Sequence, residues 1–397
     1  MKILLINHFP LTGSGSGVYT ENLANSLTKK GHEVKIILPE NIRVTNNKIH
    51  PVYFKNNEII KNQLPFNFPC FTTHPRSTQT FYELNDEQLT QYISAFKKVI
   101  EEEIKNFNPD IIHAGHIWVL TSLATKYNIP VITTAHGTDL IGYNKDSRYH
   151  KYALDAAMNS SEIITISKKN NDLVKSIFPF ATDKTTLIPN SYNPDIFYKE
   201  KLNKEQVLNE LGINKNYKKI VCFAGKFTEA KGIDILLKAA QIYENEETLT
   251  LLAGNGELFD EMNKLANDLR LKNTIFLGNQ PHNILRKIYN IADVSVVPSR
   301  NEAFGLVVIE ALGCQTPVIG TNEGGIKDII NNDVGIVFPK NDYVTLAKEI
   351  LKVLNKEKIF NNEYIGKYAE ENYTQDITTD KLIKIYEKHI NSKVKKL

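Results

Sequence analysis

The chain alternates short, continuously apolar and β-branched runs with longer stretches whose apolar residues recur at helical spacing. The runs occupy 2–9 (KILLINHF), 33–39, 110–115, 130–137, 162–167 and 185–190, then 219–225, 249–254, 273–278, 293–299, 316–321 and 334–339. Strands apolar on both faces and separated by helices predict parallel sheets covered on each side. The series breaks near 187–206, which is rich in Pro and Asn and then charged, and this predicts a hinge. Residues 41–80 fit neither period and read as a long irregular excursion, a kind of segment that often carries function. Residues 96–107 form an amphipathic helical pattern. Residues 378–397 form a basic one with an apolar stripe, expected to pack back on the body. The fold class expected is α/β: two Rossmann-like, doubly wound domains facing an interdomain cleft. Residues 1–186 would be the first domain, 187–375 the second, and 376–397 a C-terminal helix packed on the first.

Composition narrows this picture. A chain of 397 residues exceeds what one core usually supports, so two domains are the default. Forty-eight basic residues against 45 acidic ones leave +3, too balanced for a nucleic-acid binder, while weak attraction to an anionic membrane stays open. Cys70, Cys222 and Cys314 are far apart, form no CxxC pair and sit in or beside apolar runs, as reduced core thiols do. The N-terminus lacks a signal-peptide core, and no run approaches the ~18 apolar residues of a spanning helix. The expectation is a cytoplasmic protein, with peripheral contact at the inner membrane face left open by the basic C-terminal helix.

In open α/β sheets, ligands bind beyond the carboxyl ends of the strands, and the unusual residues cluster at that end. TGSGSGV (12–18) follows the first strand, HGTD (136–139) the fourth, GKFTEAKG (225–232) the seventh and RNEAFG (300–305) the tenth. Gly13, Gly15 and Gly17 allow close backbone approach, and a helix from about Val18 would turn free N–H groups towards an anion. Neither frame of these glycines fits the GxGxxG dinucleotide fingerprint. His136 alone would be a core histidine, but Thr138 and Asp139 add polar groups at the same strand end. His32, His113, His116 and His282 have no such support and read as structural or surface. Lys226 and Lys231 flank a turn closed by Gly232, and each charge-assisted bond to a diphosphate would contribute about 1.5–3 kcal/mol.

The apolar segment RNEAFGLVVIEAL (300–312) carries Glu302 before a helix start at Gly305 and Glu310 about two turns inside that helix. N–H groups from Phe304 through Leu306 to Val307 suit a phosphate. Carboxylates suit vicinal hydroxyls, because two oxygens accept from neighbouring O–H groups. Sugar, diphosphate and ribose in line would satisfy the segment.

With these motifs the chain resembles, over nearly its whole length, the retaining glycosyltransferases of family 4, which have the GT-B fold. The resemblance rests most on the Glu302–Glu310 spacing within NEAFGLVVIEALGCQTPVIGT. It implies that Glu310 holds ribose hydroxyls and Glu302 lies near the donor sugar. Phe304, Gly305 and Leu306 would offer backbone, Lys226 and Lys231 would neutralise the leaving diphosphate, His136 would touch the donor sugar, and Gly15 and Gly17 would close over the phosphate. The donor implied is a nucleoside diphosphate sugar, expected to be UDP-linked, with no metal and no further cofactor. The acceptor, a small molecule, lipid or saccharide, would be chosen by 41–80, where Arg76 stands among aromatics. Lys226 replaces the family's usual Arg, Ser191 a Gly and Glu257 a Pro. The first keeps the charge and loses the planar fork. A nucleotide-sugar epimerase of the same fold is the nearest alternative. An NAD-dependent dehydrogenase, with Glu40 on an adenosine ribose, is a more distant one.

Overall fold

The computed structural model describes residues 1–56 and 59–394. The chain divides into two compact units: Met1–Pro189 together with the chain from Thr378, and Asn190–Ile377. Residues 57 and 58 of the expected excursion, and 395–397 of the expected C-terminal helix, lie outside the described residues.

The first unit is built on a parallel sheet of β1 (Lys2–Ile6), β2 (Glu33–Glu40), β3 (Ile49–Tyr53), β4 (Ile111–Gly115), β5 (Val131–Ala135), β6 (Glu162–Thr165) and β7 (Thr185–Leu187), in the order β3-β2-β1-β4-β5-β6-β7. Strand alternation divides its core. Leu4 and Ile6 of β1 join the cluster with Phe54, Phe68, Tyr92 and Trp118. Ile3 and Leu5 join the opposite cluster with Leu27, Leu38 and Ile164. That second cluster also takes Leu382 and Tyr386, four apart and therefore on one face of the C-terminal helix Gln375–Val394. Lys30–Asp380 at 2.8 Å and Lys388–Glu162 at 2.8 Å pin the helix to this unit.

The excursion at 41–80 contains regular structure. Ile49–Tyr53 extends the sheet as an edge strand parallel to β2. Beyond it, Phe54, Phe66, Phe68, Cys70 and Phe71 are buried in the core, with Phe54 6.0 Å from Tyr92 ring to ring. This stretch supplies hydrophobic core to the first unit.

The second unit carries β8 (Lys219–Ala224), β9 (Thr248–Ala253), β10 (Thr274–Gly278), β11 (Val294–Val297), β12 (Val318–Thr321) and β13 (Gly335–Phe338), all parallel, in the order β10-β9-β8-β11-β12-β13. In both sheets the winding direction reverses once, between β1 and β4 and between β8 and β11. A crevice opens at such a switch point, at the carboxyl ends of the strands. Among the described residues no helix is long and apolar enough to cross a membrane.

Candidate functional site

In the second unit, the loops after β8 and β11 meet at the switch point. Arg300 forks Asp234 with bonds of 2.8 and 2.7 Å, and donates to the Glu229 carbonyl at 2.9 Å. The Arg300 N–H donates to the Ala230 carbonyl at 2.8 Å. This staple brings the single turn Glu229–Lys231 against the loop that carries Glu302. Lys231 Nζ lies 2.5 Å from Glu302 Oε2, and Ser299 Oγ lies 3.4 Å from the same oxygen. Lys226 heads the same loop, two residues beyond β8.

The Glu302 loop is shaped by a third, after β12. Gly324 has φ +51°, and a Cβ there would lie 1.7 Å from the Glu302 carbonyl oxygen. Gly325 abuts Phe304, where a Cβ would come within 2.5 Å of its backbone. Only glycines permit this approach. Phe304 is buried, and Gly305 caps the helix Leu306–Gly313 with φ +105°. Leu306 and Val307 form the first, partly accessible turn of that helix, whose leading N–H groups lack intrahelical partners. Glu310 is the fifth residue of the helix, little more than one turn in rather than two. Among the described residues no side chain or backbone donor engages its carboxylate. Burial pushes it from the ordinary 4.5 up to about 7, with Tyr289 and Cys314 close enough to feel its charge. An unpaired carboxylate in such surroundings is costly unless something else uses it.

In the first unit, histidines gather at the ends of β1, β4 and β5. His8 donates through Nδ1 to the Gly115 carbonyl at 3.0 Å and accepts at Nε2 from the Leu120 N–H at 3.2 Å, which fixes its tautomer. His116 has φ +74°, unusual for a residue with a side chain, and is 1% exposed. Among the described residues neither of its ring nitrogens finds a hydrogen-bond partner of ordinary geometry. Its ring lies 4.8 Å from that of His136, whose Nε2 also lacks a partner among the described residues. Burial holds His8 and His136 down to about 3 and His116 well below its usual value, so all three imidazoles are neutral at pH 7. Tyr19 packs edge-on against His136 at 5.1 Å.

Several expected contacts resolve differently. Asp139 is 1% exposed and accepts from the Ile117 N–H and the Gly137 N–H, each at 2.8 Å, so it braces two loops. Thr138 begins the helix Thr138–Lys145 beside it, partly accessible. Arg76 is forked onto the buried Glu40 at 2.8 and 3.1 Å. The guanidinium expected for an acceptor and the carboxylate that a dinucleotide would require are thus committed to each other. The first helix starts at Gly15, three residues before Val18, because Ser14 caps it. Ser14 Oγ accepts the Gly17 N–H at 3.0 Å. His116, set aside as structural or surface, stands among the strand-end groups. The Gly324–Gly325 buttress was missed, and two adjacent glycines just past a strand were its only trace in the sequence.

The glycine loop separates packing from ligand approach. A Cβ on Gly17 would lie 2.1 Å from the Pro10 carbonyl oxygen, whereas one on Gly15 would meet nothing within 4 Å. Gly17→Ala should therefore cost about 2–4 kcal/mol through forced separation of loop and helix. Gly15→Ala should change stability by less than about 1 kcal/mol, so that any effect it has falls on ligand binding. Denaturant unfolding of both variants checks the contrast.

Among the described residues no group of three or more His, Cys, Asp and Glu side chains is arranged to hold a metal ion. Residues 203–372 match the family described as glycosyl transferases group 1, and residues 13–196 match Glycosyltransferase Family 4. An uncharacterized glycosyltransferase of Methanocaldococcus jannaschii is 29% identical, over 97% of this chain and 98% of its own. The N-acetyl-alpha-D-glucosaminyl L-malate synthase of Bacillus anthracis is 26% identical, over 98% and 96%. Among solved structures, sucrose-phosphate synthase from Thermosynechococcus elongatus superposes with a TM-score of 0.75 at 19% identity, covering 99% of this chain and 100% of that one. Anabaena HepE in complex with UDP gives 0.74 at 14%, covering 98% and 100%. With two Rossmann-like units and matches to the family running through both, the chain belongs to the GT-B glycosyltransferases of group 1.

Proposed function

We propose that the protein transfers a sugar from a nucleoside diphosphate donor, a UDP-sugar, to an acceptor hydroxyl with the anomeric configuration retained. The observation that carries this reading is Glu310: an unpaired carboxylate on a helix opened by Gly305, which follows the loop that carries Glu302. Ionised, it accepts from the two hydroxyls of a ribose. The open N–H groups of Leu306 and Val307 and the cations Lys226 and Lys231 receive the diphosphate and stabilise the charge that grows on it as the sugar leaves. Glu302, oriented by Lys231, hydrogen-bonds the donor sugar. In the first unit His136 and His116 offer neutral imidazoles, which can donate to or accept from substrate hydroxyls without introducing charge. Asp139, the carboxylate among the strand-end groups of the first unit, is held by the Ile117 and Gly137 N–H groups. Retention is accordingly assigned to same-face attack, with the departing phosphate taking the acceptor's proton. Support for the UDP assignment comes from the structural relative solved with UDP, and another, Arabidopsis starch synthase IV, carries ADP.

The test is a thermal-shift panel of UDP-, GDP- and ADP-sugars and NAD on the wild type and Glu310→Ala, with EDTA present. One UDP-sugar at 100 times its Kd should add about 2.7 kcal/mol, and the substitution should abolish the gain. A shift with NAD alone, or one that survives Glu310→Ala, would overturn the reading.

A further inference from the structure

The C-terminal helix does more in the first unit than cover a hydrophobic face. From it Tyr386 reaches into the sheet, where its hydroxyl lies 2.5 Å from His113 Nδ1. His113 Nε2 lies 2.7 Å from Thr134 Oγ1, and Thr134 Oγ1 lies 3.4 Å from the Tyr19 hydroxyl. Tyr19 in turn packs edge-on against His136. Four polar groups thus run in one line from the C-terminal helix, through β4 and β5, to the strand-end histidine.

The proton order along this line follows from what each group can donate. His113 is fully buried and neutral, so it has one N–H and one accepting nitrogen. If Nδ1 carried the proton, it would donate to Tyr386, and the Tyr386 hydroxyl proton, on a residue 0% exposed, would have no acceptor. A buried donor left in that state is penalised. With the proton on Nε2 every group is satisfied: Tyr386 donates to Nδ1, His113 donates to Thr134, and Thr134 donates to Tyr19. The Tyr19 hydroxyl then keeps its own proton, on a ring that is only partly buried and adjoins His136.

We propose that Tyr386 is a positioning residue, which acts through His113 and Thr134 to orient the Tyr19 hydroxyl and hold the His136 ring at the carboxyl ends of the strands. The same chain makes Tyr19 a hydroxyl donor to the substrate bound there; this part rests on the transfer reading of the site. Removing the helix's hydroxyl should disturb the site without unfolding the unit, because the Tyr386 ring stays in the core.

The experiment uses the full-length chain with ¹⁵N-labelled histidine. Imidazole nitrogen shifts are recorded for the wild type, Tyr386→Phe, Thr134→Val and Thr134→Ser, with His113→Asn to assign the His113 signals. Expected for the wild type is an Nε2–H tautomer at His113. Tyr386→Phe and Thr134→Val should each move the His136 signals, and Thr134→Ser should restore them. With UDP-glucose and UDP-N-acetylglucosamine as probes and water as the acceptor of the sugar, hydrolytic release of UDP should show kcat lowered by at least about fivefold in the same two variants, with KM changed much less. An Nδ1–H tautomer, or His136 signals unmoved in both variants, overturns the relay. Signals that move while kcat does not overturn its role in the site. If neither probe raises the wild type's melting temperature, the transfer reading loses its support, while the nitrogen shifts still decide the relay.

Discussion

Replacing Lys231 by alanine is expected to lower kcat by about 10²–10³, the loss typical when one preorganised donor to developing negative charge is removed. Lys231 has two jobs that can be separated. On the proposed reading it neutralises the leaving diphosphate, and in the structure it pairs with Glu302 at 2.5 Å. Glu302 is only 13% exposed at its side chain, so its carboxylate without Lys231 keeps little more than the Ser299 hydroxyl at 3.4 Å. Lys231→Ala should therefore also cost about 1–2 kcal/mol of stability in the second unit. Lys231→Ala/Glu302→Gln removes the stranded charge along with its partner. It should regain most of that stability and none of the rate, because the leaving group still lacks its cation. Denaturant unfolding and single-turnover release of UDP, measured on the singles and the double, form a cycle whose two readouts must diverge. A double variant that recovers rate together with stability would show that Lys231 serves Glu302 alone.

The divergence matters because both residues were legible in the sequence, while their contact was not. The strand runs, the alternation with helices and the break near 190 are local signals, and the sheets follow them closely. β3 escaped because Pro51 interrupts its run, and a proline in a strand is tolerated only where its missing N–H leaves no ladder bond unmade. At the sheet edge, opposite Leu38, that condition holds. The Phe-rich stretch after it shows no period because its rings enter the core from an irregular backbone. Arg76 looked available since its partner, Glu40, lies 36 positions away. His116 is distinguished by a positive φ and by ring nitrogens without good partners, and neither property is written in its neighbours. Gly324 and Gly325 are explained only by the loop they touch. What sequence could supply was the placement of polar residues at strand ends. Their commitment to one another is set by tertiary contact, as between Arg76 and Glu40 and between Asp139 and the N–H groups of Ile117 and Gly137.

Glu310→Gln should separate stability from binding in the opposite sense. The folded chain raises this carboxyl from 4.5 to about 7, so it holds its proton more tightly folded than unfolded. Between those two values the folded state binds more protons, and unfolding free energy falls as pH rises. The stabilising contribution of the neutral form is complete below about 4.5 and gone once pH has passed about 7. A shift of this size corresponds to about 3 kcal/mol, reduced to about 2 by the carboxylate's remaining access to water. Glutamine, always neutral, escapes the penalty. The variant should match the wild type near pH 4.5 and exceed it at pH 8, with a melting temperature higher by roughly 4–8 °C for a unit of this size. Donor affinity should move the other way. Accepting from two ribose hydroxyls requires the ionised form, so wild-type affinity should rise by several-fold from pH 6 to pH 8. The glutamine variant should bind weakly and show no such rise. Melting curves with and without the stabilising sugar nucleotide, taken across this range, record both effects at once. A variant that is more stable at pH 8 yet binds the donor normally would mean that Glu310 is a buried acid with no part in holding the nucleotide. Loss of binding together with the gain in stability would identify the cost of ionising Glu310 as a cost that the ribose offsets.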